Sequence, residues 1–306
     1  MLTPSQARSV VEAATAAPSV HNSQPWLFAV QPDRMQVRAD RSRLLPRQDP
    51  DGRELHISCG AASLNAQLAL RALGMTATPT LLPAPDVVAE LTLVHGTPAC
   101  AHELRLLAAI PRRHTDRSAF SDEPISSHVI ERLAHAAETE GAWLQVLSTG
   151  EMLELAVLQA HAQSSLRADV PAQQERASWG RDKATAVDGV PADLVPGWAP
   201  RNSAPGAVRD TSIRDVVLVL GTLGDAPVDW VRAGRALARV LLEATDAGLV
   251  AAPATLALEL PTVRDALRGV LALQGAPQMV LRTGYPSGLG TARTGRRPVE
   301  QVLVSD

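Results

Sequence analysis

The 306-residue sequence predicts an α+β protein built from two pseudo-repeated halves, and three observations lead there. First, Gly60–Pro79 (GAASLNAQLALRALGMTATP) overlays Gly234–Pro253 (GRALARVLLEATDAGLVAAP) without a gap. Six of the twenty positions are identical, pairing Gly60 with Gly234, Ala62 with Ala236, Leu68 with Leu242, Gly74 with Gly248, Ala77 with Ala251 and Pro79 with Pro253. Self-similarity of this kind marks a repeated structural unit. Second, both copies read as a long amphipathic helix with a glycine near its C-terminus, where a left-handed residue ends the helix. Third, the flanks agree, because each copy is preceded by a helix–strand pair and followed by an apolar strand closed by Gly-x-Pro.

Taken in order, the first half predicts a helix over Thr3–Ala17, a strand over Trp26–Val30, the long helix ending near Gly74, and a strand in Leu91–Pro98. The second half predicts a helix over Ile125–Thr139, a strand over Trp143–Leu147, the long helix ending near Gly248, and a strand in Gln278–Pro286. The boundary falls at about Cys100–Pro111, giving halves 1–105 and 106–306. Two asymmetries stand out. The first half has a polar loop, Pro18–Pro25, where the second has only a short Glu-Gly turn. The second half has an arginine-rich lead-in, Arg112–Phe120, and an insertion, about Gln163–Asp215, that holds Trp179 and Trp198. A loop of that length in a compact domain is usually a lid or a mobile segment.

Composition narrows the class. Hydrophobic content of 45 % with 20 % charged residues suits a globular enzyme with ample core. A net charge of −3 gives no reason to expect nucleic-acid or anionic-membrane partners. Lys183 is the sole lysine, so an anion site must use guanidinium or backbone N–H groups. Cys59 and Cys100 are expected to be free, buried thiols. With no signal-peptide pattern and no apolar run near the ~18 residues of a membrane span, a soluble cytoplasmic protein is expected.

Four segments could carry chemistry. Pro18-Ser-Val-His-Asn-Ser-Gln-Pro25-Trp26 is a polar loop pinned by a proline at each end, with Ser19, Asn22 and Gln24 as short hydrogen-bonding side chains. A plain helix-to-strand turn would look similar. Arg112-Arg-His-Thr-Asp-Arg117-Ser-Ala-Phe120 groups three guanidiniums with a hydroxyl, which suits phosphate oxygens as well as it suits a solvated basic run. Gly248-Leu-Val-Ala-Ala-Pro253-Ala-Thr255 follows the second long helix and could be a simple turn like its twin at Pro79. Arg293-Thr-Gly-Arg296-Arg297-Pro298 is a basic element near the C-terminus, or an exposed tail. His56, Cys59 and His95 are too scattered for a metal site. Ser19 and His21 lack a third triad member, and Gly288-Leu-Gly290 opens no helix, so neither hydrolysis nor a dinucleotide fingerprint is indicated.

Together these segments resemble the nitroreductase family of flavin mononucleotide (FMN) flavoproteins, and the chain is most similar to its Acg-like branch, in which one chain mimics the usual dimer. Pro18, Ser19, Asn22, Gln24, Pro25 and Trp26 match the family's Pro-Ser-x-x-Asn-x-Gln-Pro-Trp flavin loop. Arg113, Thr115 and Arg117 match its Arg-x-Ser-x-Arg/Lys phosphate and ribityl element, with Phe120 one residue later than usual. Pro253 matches its Gly-(x)4-Pro loop near flavin N5, with Thr255 and Leu256 where some members carry an acid and a glycine. Arg297, or else Arg296, matches the closing basic residue before proline.

The resemblance implies a nitroreductase-like fold, with central mixed or antiparallel sheets flanked by helices. It implies one FMN per chain held by Pro18, Ser19, Val20, Asn22, Gln24, Arg113, His114, Thr115, Arg117, Pro253, Ala254, Thr255, Arg296 and Arg297. It also implies NAD(P)H as reductant, a nitroaromatic or quinone-like acceptor, and a monomer standing in for a family dimer. No catalytic acid or base is expected, since the cofactor carries the electron chemistry. The alternative is an FMN-sequestering or regulatory protein whose insertion covers the site.

Overall fold

The computed structural model describes residues 2–181, 186–191, 216–288 and 293–304. The first half begins with α1 (Pro4–Thr15), started by a capping box in which the Thr3 hydroxyl accepts the Gln6 N–H and the Gln6 side chain accepts the Thr3 N–H. Then come β1 (Trp26–Val30), β2 (Arg34–Ala39), α2 (Arg53–Ala72), β3 (Met75–Ala84), β4 (Val87–His95) and α3 (Ala101–Ala109), a helix that straddles the expected boundary after residue 105. The turn at Asp49–Gly52 launches α2. Both Asp49 carboxylate oxygens accept first-turn N–H groups, from Glu54 and Leu55.

The second half runs α4 (Ser127–Thr139), β5 (Trp143–Val146), α5 (Thr149–Ala168), α6 (Val170–Ser178), β6 (Gly180–Arg181), β7 (Val190–Pro191), β8 (Val216–Thr222), α7 (Pro227–Asp246), β9 (Val250–Pro253), α8 (Pro261–Val270) and β10 (Ala276–Gly284). The chain then closes with α9 (Val299–Val302) and β11 (Leu303–Val304).

The strands form two principal sheets, ordered β11-β1-β2-β4-β3 and β5-β8-β10-β9. Every pairing in them is antiparallel except β1 with β11. The terminal strand, grouped by sequence with the second half, therefore joins the first sheet.

On the first sheet, Met35 and Val37 point into the core with α1, α2 and α3, while Gln36 and Arg38 hydrogen-bond on the opposite face. The second sheet is covered on both faces. Leu218, Leu220 and Leu281 pack with α4 and α7, and the alternating Val219 and Val280 pack with α5 and α8.

The two copies of the repeat meet in the middle, where α2 lies on α7. A Cβ on Gly60 would sit 2.3 Å from the Val231 carbonyl oxygen, and one on Gly234 would sit 1.9 Å from that of Ile57. The aligned glycines thus let two helix backbones touch. Gly74 and Gly248 end their helices at φ 75° and 81°, as the repeat predicts.

Several elements carry no clear signal in the sequence. β2, β3, α3, β8 and α8 were not anticipated. Nor was α5, whose apolar residues surround the helix without a single stripe. The insertion was expected to be a loop, yet its first part is the end of α5 and all of α6, capped by the Asp169 carboxylate on the Ala172 N–H. Its remainder from residue 192 to 215, with Trp198, lies outside the described residues. Cys59 is buried as expected, but Cys100 is exposed at the start of α3, where its N–H donates to Glu103. No described helix is long and apolar enough to cross a membrane.

Candidate functional site

The Pro18–Pro25 loop leaves α1, makes a single 3₁₀ turn over Val20–Asn22 and enters β1. His21, Asn22 and Gln24 all sit in the left-handed region, at φ 46°, 53° and 50°. Such residues cost of order 1–3 kcal/mol each, and their clustering marks a segment held in place by its surroundings. Those surroundings are visible. The Ser19 hydroxyl accepts the Gln24 N–H (3.0 Å). Asn22 Nδ2 donates to the carbonyls of Gly189 (3.0 Å) and Gly295 (3.1 Å), and its Oδ1 accepts from Arg296 (3.1 Å). Gln24 Nε2 donates to the Val187 carbonyl (2.8 Å), and its Oε1 accepts the Arg297 N–H (2.8 Å).

Opposite this loop, Arg113–Arg117 is extended along the edge of the second sheet. Thr115 bridges Ala251 of β9, and the Asp116 N–H donates to the Ala251 carbonyl (3.0 Å). Arg113, His114, Thr115 and Arg117 all face the cavity, while Asp116 is buried and accepts from the N–H and hydroxyl of Ser118. Phe120 is anchored on Pro286 beneath the Arg282 guanidinium. Pro253 ends β9, and Thr255–Leu258 forms a 3₁₀ turn leading to Glu259.

These segments enclose one cavity of about 640 Å³, a size ordinary for a cofactor site. Pro18, Ser19, Val20, Asn22, Arg113, His114, Thr115, Arg117, Pro253, Ala254, Thr255 and Arg296 line it. Gln24 and Arg297 do not. Gln24 is fully buried behind the loop, and Arg297 turns away to pair with Asp40 (3.1 Å). Arg296, the alternative to Arg297 in the closing basic element, is the arginine of that pair that reaches the cavity. His21, Arg293, Leu256 and Glu259 also line it, with Ala156, Gln159 and Ala160 of α5 among others.

The electrostatics are lopsided. Arg113, Arg117 and Arg296 have no carboxylate partner among the described residues. Arg113 donates to the Ala16 carbonyl (3.0 Å), and burial together with Arg296 and Arg293 pulls its pKa down to about 9. Burial lowers Arg296 to about 10, and its Nε has no partner. Arg117 is open to solvent, yet enough protein surrounds it that burial also lowers its pKa. Uncompensated cations enclosed by protein are costly, and they are usually kept for an anion.

A second network was not visible in the sequence. The His21 imidazole, held neutral by burial with a pKa of about 4, donates from Nε2 to Gln48 Oε1 (2.7 Å). Arg176 of α6 lies beside Gln48 and pairs with Glu259 Oε2 (2.5 Å). Glu175 accepts the N–H groups of Arg47 and Gln48. Asp188 pairs with Arg43 (2.5 Å), which also stacks over Trp179. The described part of the insertion is therefore docked on both halves at the cavity's edge.

Comparison with known proteins adds a family. No family model matches the chain. The "Putative NAD(P)H nitroreductase Rv3131" of Mycobacterium tuberculosis is 35 % identical over 313 residues, spanning 97 % of this chain and 90 % of its own. The "Putative NAD(P)H nitroreductase acg" of the same organism is 29 % identical, spanning 99 % and 96 %. A Desulfitobacterium hafniense nitroreductase, solved with bound FMN, covers 65 % of this chain and 97 % of its own at 15 % identity and a TM-score of 0.43. The chain belongs to the NAD(P)H nitroreductase family, a class of oxidoreductases.

Proposed function

We propose that the chain binds one FMN in the cavity between its halves, 1–105 and 106–306, and uses it to pass electrons from NAD(P)H to a nitroaromatic or quinone-like acceptor. The observation that carries this is the set of three guanidiniums, Arg113, Arg117 and Arg296, converging on one cavity with no carboxylate partner among the described residues. A phosphate dianion compensates them, so the residues present fit the cofactor. Arg113, His114, Thr115 and Arg296 would hold the phosphate and ribityl chain, with Arg117 beside them. Backbone groups of Pro18–Asn22 and Pro253–Thr255 would flank the ring, consistent with a cavity that is lined by few aromatics. When bound, FMN supplies hydride-transfer chemistry. The chain's own residues orient it, exclude bulk water and admit the acceptor along α5.

In this reading each chain contains one complete site. The Pro18 loop comes from one half and the arginine segment from the other, so a single chain does what a family dimer would do.

Anaerobic titration with NADH and with NADPH, followed in the flavin absorption band, tests the proposal. The expected result is a yellow protein that bleaches on addition and recovers with 1,4-benzoquinone. A specific observation also favours a sequestering role. The described part of the insertion is docked through Arg176, Glu175 and Gly189, and its Gln163 and Val190 border the cavity. A yellow protein that neither reductant bleaches would support that second reading and overturn the first.

A further inference from the structure

Glu259 is the one carboxylate on the cavity wall among the described residues, and neither cofactor binding nor the sequence motifs explain it. It follows directly on the 3₁₀ turn whose first residues, Thr255 and Leu256, line the same wall. Only about a tenth of its side chain is exposed. Its Oε2 accepts from Arg176 at 2.5 Å, whereas Oε1 has no hydrogen-bond partner among the described residues. The charged groups facing it are Arg176 from α6 and Arg53 and Glu54 from α2. Burial and Glu54 favour its neutral form, Arg176 and Arg53 its ionised form, and the balance lies at about 7.

Reduction of a quinone consumes one hydride and one proton, and those two need separate sources. We propose, building on the reductase reading above, that Glu259 is the proton donor to the acceptor bound in this cavity. The Glu259 O–H bond breaks and its electron pair stays on the carboxylate. The proton forms a new O–H bond on the acceptor oxygen as the acceptor gains the hydride that originates in NAD(P)H. The sum is quinone plus NAD(P)H plus the neutral acid, giving hydroquinone, NAD(P)⁺ and the carboxylate. Arg176, already at Oε2, stabilises that carboxylate until water returns the proton. A buried acid poised near neutral pH beside a cation that favours its conjugate base is the arrangement general-acid catalysis requires.

The test uses the FMN-loaded full chain and its Glu259→Gln and Glu259→Asp variants. Reduction by NADPH and reoxidation by 1,4-benzoquinone are followed separately from pH 5.5 to about 8.5, a window set around the acid's neutral range. In the wild type, reoxidation is expected to slow as pH rises through about 7, because the neutral acid is lost. Glu259→Gln is expected to slow reoxidation at least ~10-fold more than reduction, toward the 10²–10⁴-fold worth of a general acid, and to abolish the pH step. Glu259→Asp should keep a pH step, and D₂O should slow wild-type reoxidation. Equal effects on both half-reactions, or an unchanged pH profile in Glu259→Gln, would overturn the proton-donor assignment and leave the reductase reading standing. A wild type that holds no FMN, or is not reduced, overturns both.

Discussion

The two walls of the cavity are built on opposite plans. On the Pro18–Gln24 wall, the polar side chains of the flavin-loop motif are committed to protein. Asn22 ties down Gly189, Gly295 and Arg296, and Gln24 ties down Val187 and Arg297. On the Arg113–Arg117 wall, Arg113 is enclosed, Arg117 stays open to solvent, and neither has an acid partner among the described residues. The first plan stabilises the chain and shapes the site. The second destabilises the empty chain and reserves binding energy for an anion. A motif residue in a binding loop is thus not automatically a ligand contact. In this chain, the polar side chains of Asn22 and Gln24 position backbone, which is what three left-handed φ values within four residues require.

The largest effect expected from this contrast is on FMN affinity. Replacing Arg113 and Arg117 together by alanine removes two charge-assisted contacts of ~1.5–3 kcal/mol each, so affinity should fall about 100-fold or more, read by flavin fluorescence titration. Retained affinity would mean the phosphate lies elsewhere. Next comes the committed wall. Asn22→Ala leaves the Gly189 carbonyl without its donor and removes one of the bonds to the Gly295 carbonyl and to Arg296, which still bond each other. About 2–3 kcal/mol of stability should be lost in urea unfolding, with faster proteolysis near Gly189. A loss confined to FMN binding, with stability unchanged, would place Asn22 on the ligand instead.

A smaller effect concerns His21, whose pKa falls from 6.5 to about 4, first through burial and then through Arg176 and Arg117. Because the folded chain resists protonation there, this contribution is complete above about 6.5 and is lost as pH drops toward 4. Glu259, raised to about 7, acts in the opposite sense, since its burden grows as pH rises from 4.5. The His21 part is isolated by comparing wild type with His21→Gln. The wild type's stability relative to that variant should shrink by about 2 kcal/mol between pH 7 and pH 5. A constant difference would show that the imidazole is not held neutral.

Much of this architecture was legible because it rests on local rules. Gly74 and Gly248 announce helix ends through their lack of a Cβ, and the aligned Gly60 and Gly234 announce that two helices are equivalent. What stayed hidden depends on partners far apart in sequence. Nothing local joins Gln48, Arg176 and Glu259, or sends β11 to the first sheet. The choice between Arg296 and Arg297 was hidden for a related reason. Adjacent residues on extended backbone face opposite ways, and only the location of Asp40 decides which one is neutralised. α5 escaped notice because an apolar helix that lines a cavity on one side and packs on α8 on the other shows no single stripe.

The most direct test compares the thermal stability of the FMN-free chain with that of Arg113→Met and Asn22→Ala. Ala16's carbonyl keeps Arg296 as donor when Arg113 is removed, so the exchange deletes an uncompensated charge without orphaning its acceptor. The account predicts opposite signs. Arg113→Met should raise the midpoint, by the equivalent of about 1 kcal/mol, while abolishing the stabilisation that FMN adds, and Asn22→Ala should lower it. If Arg113→Met lowers the midpoint of the FMN-free chain as Asn22→Ala does, the two walls are built alike and the reserved anion site is contradicted.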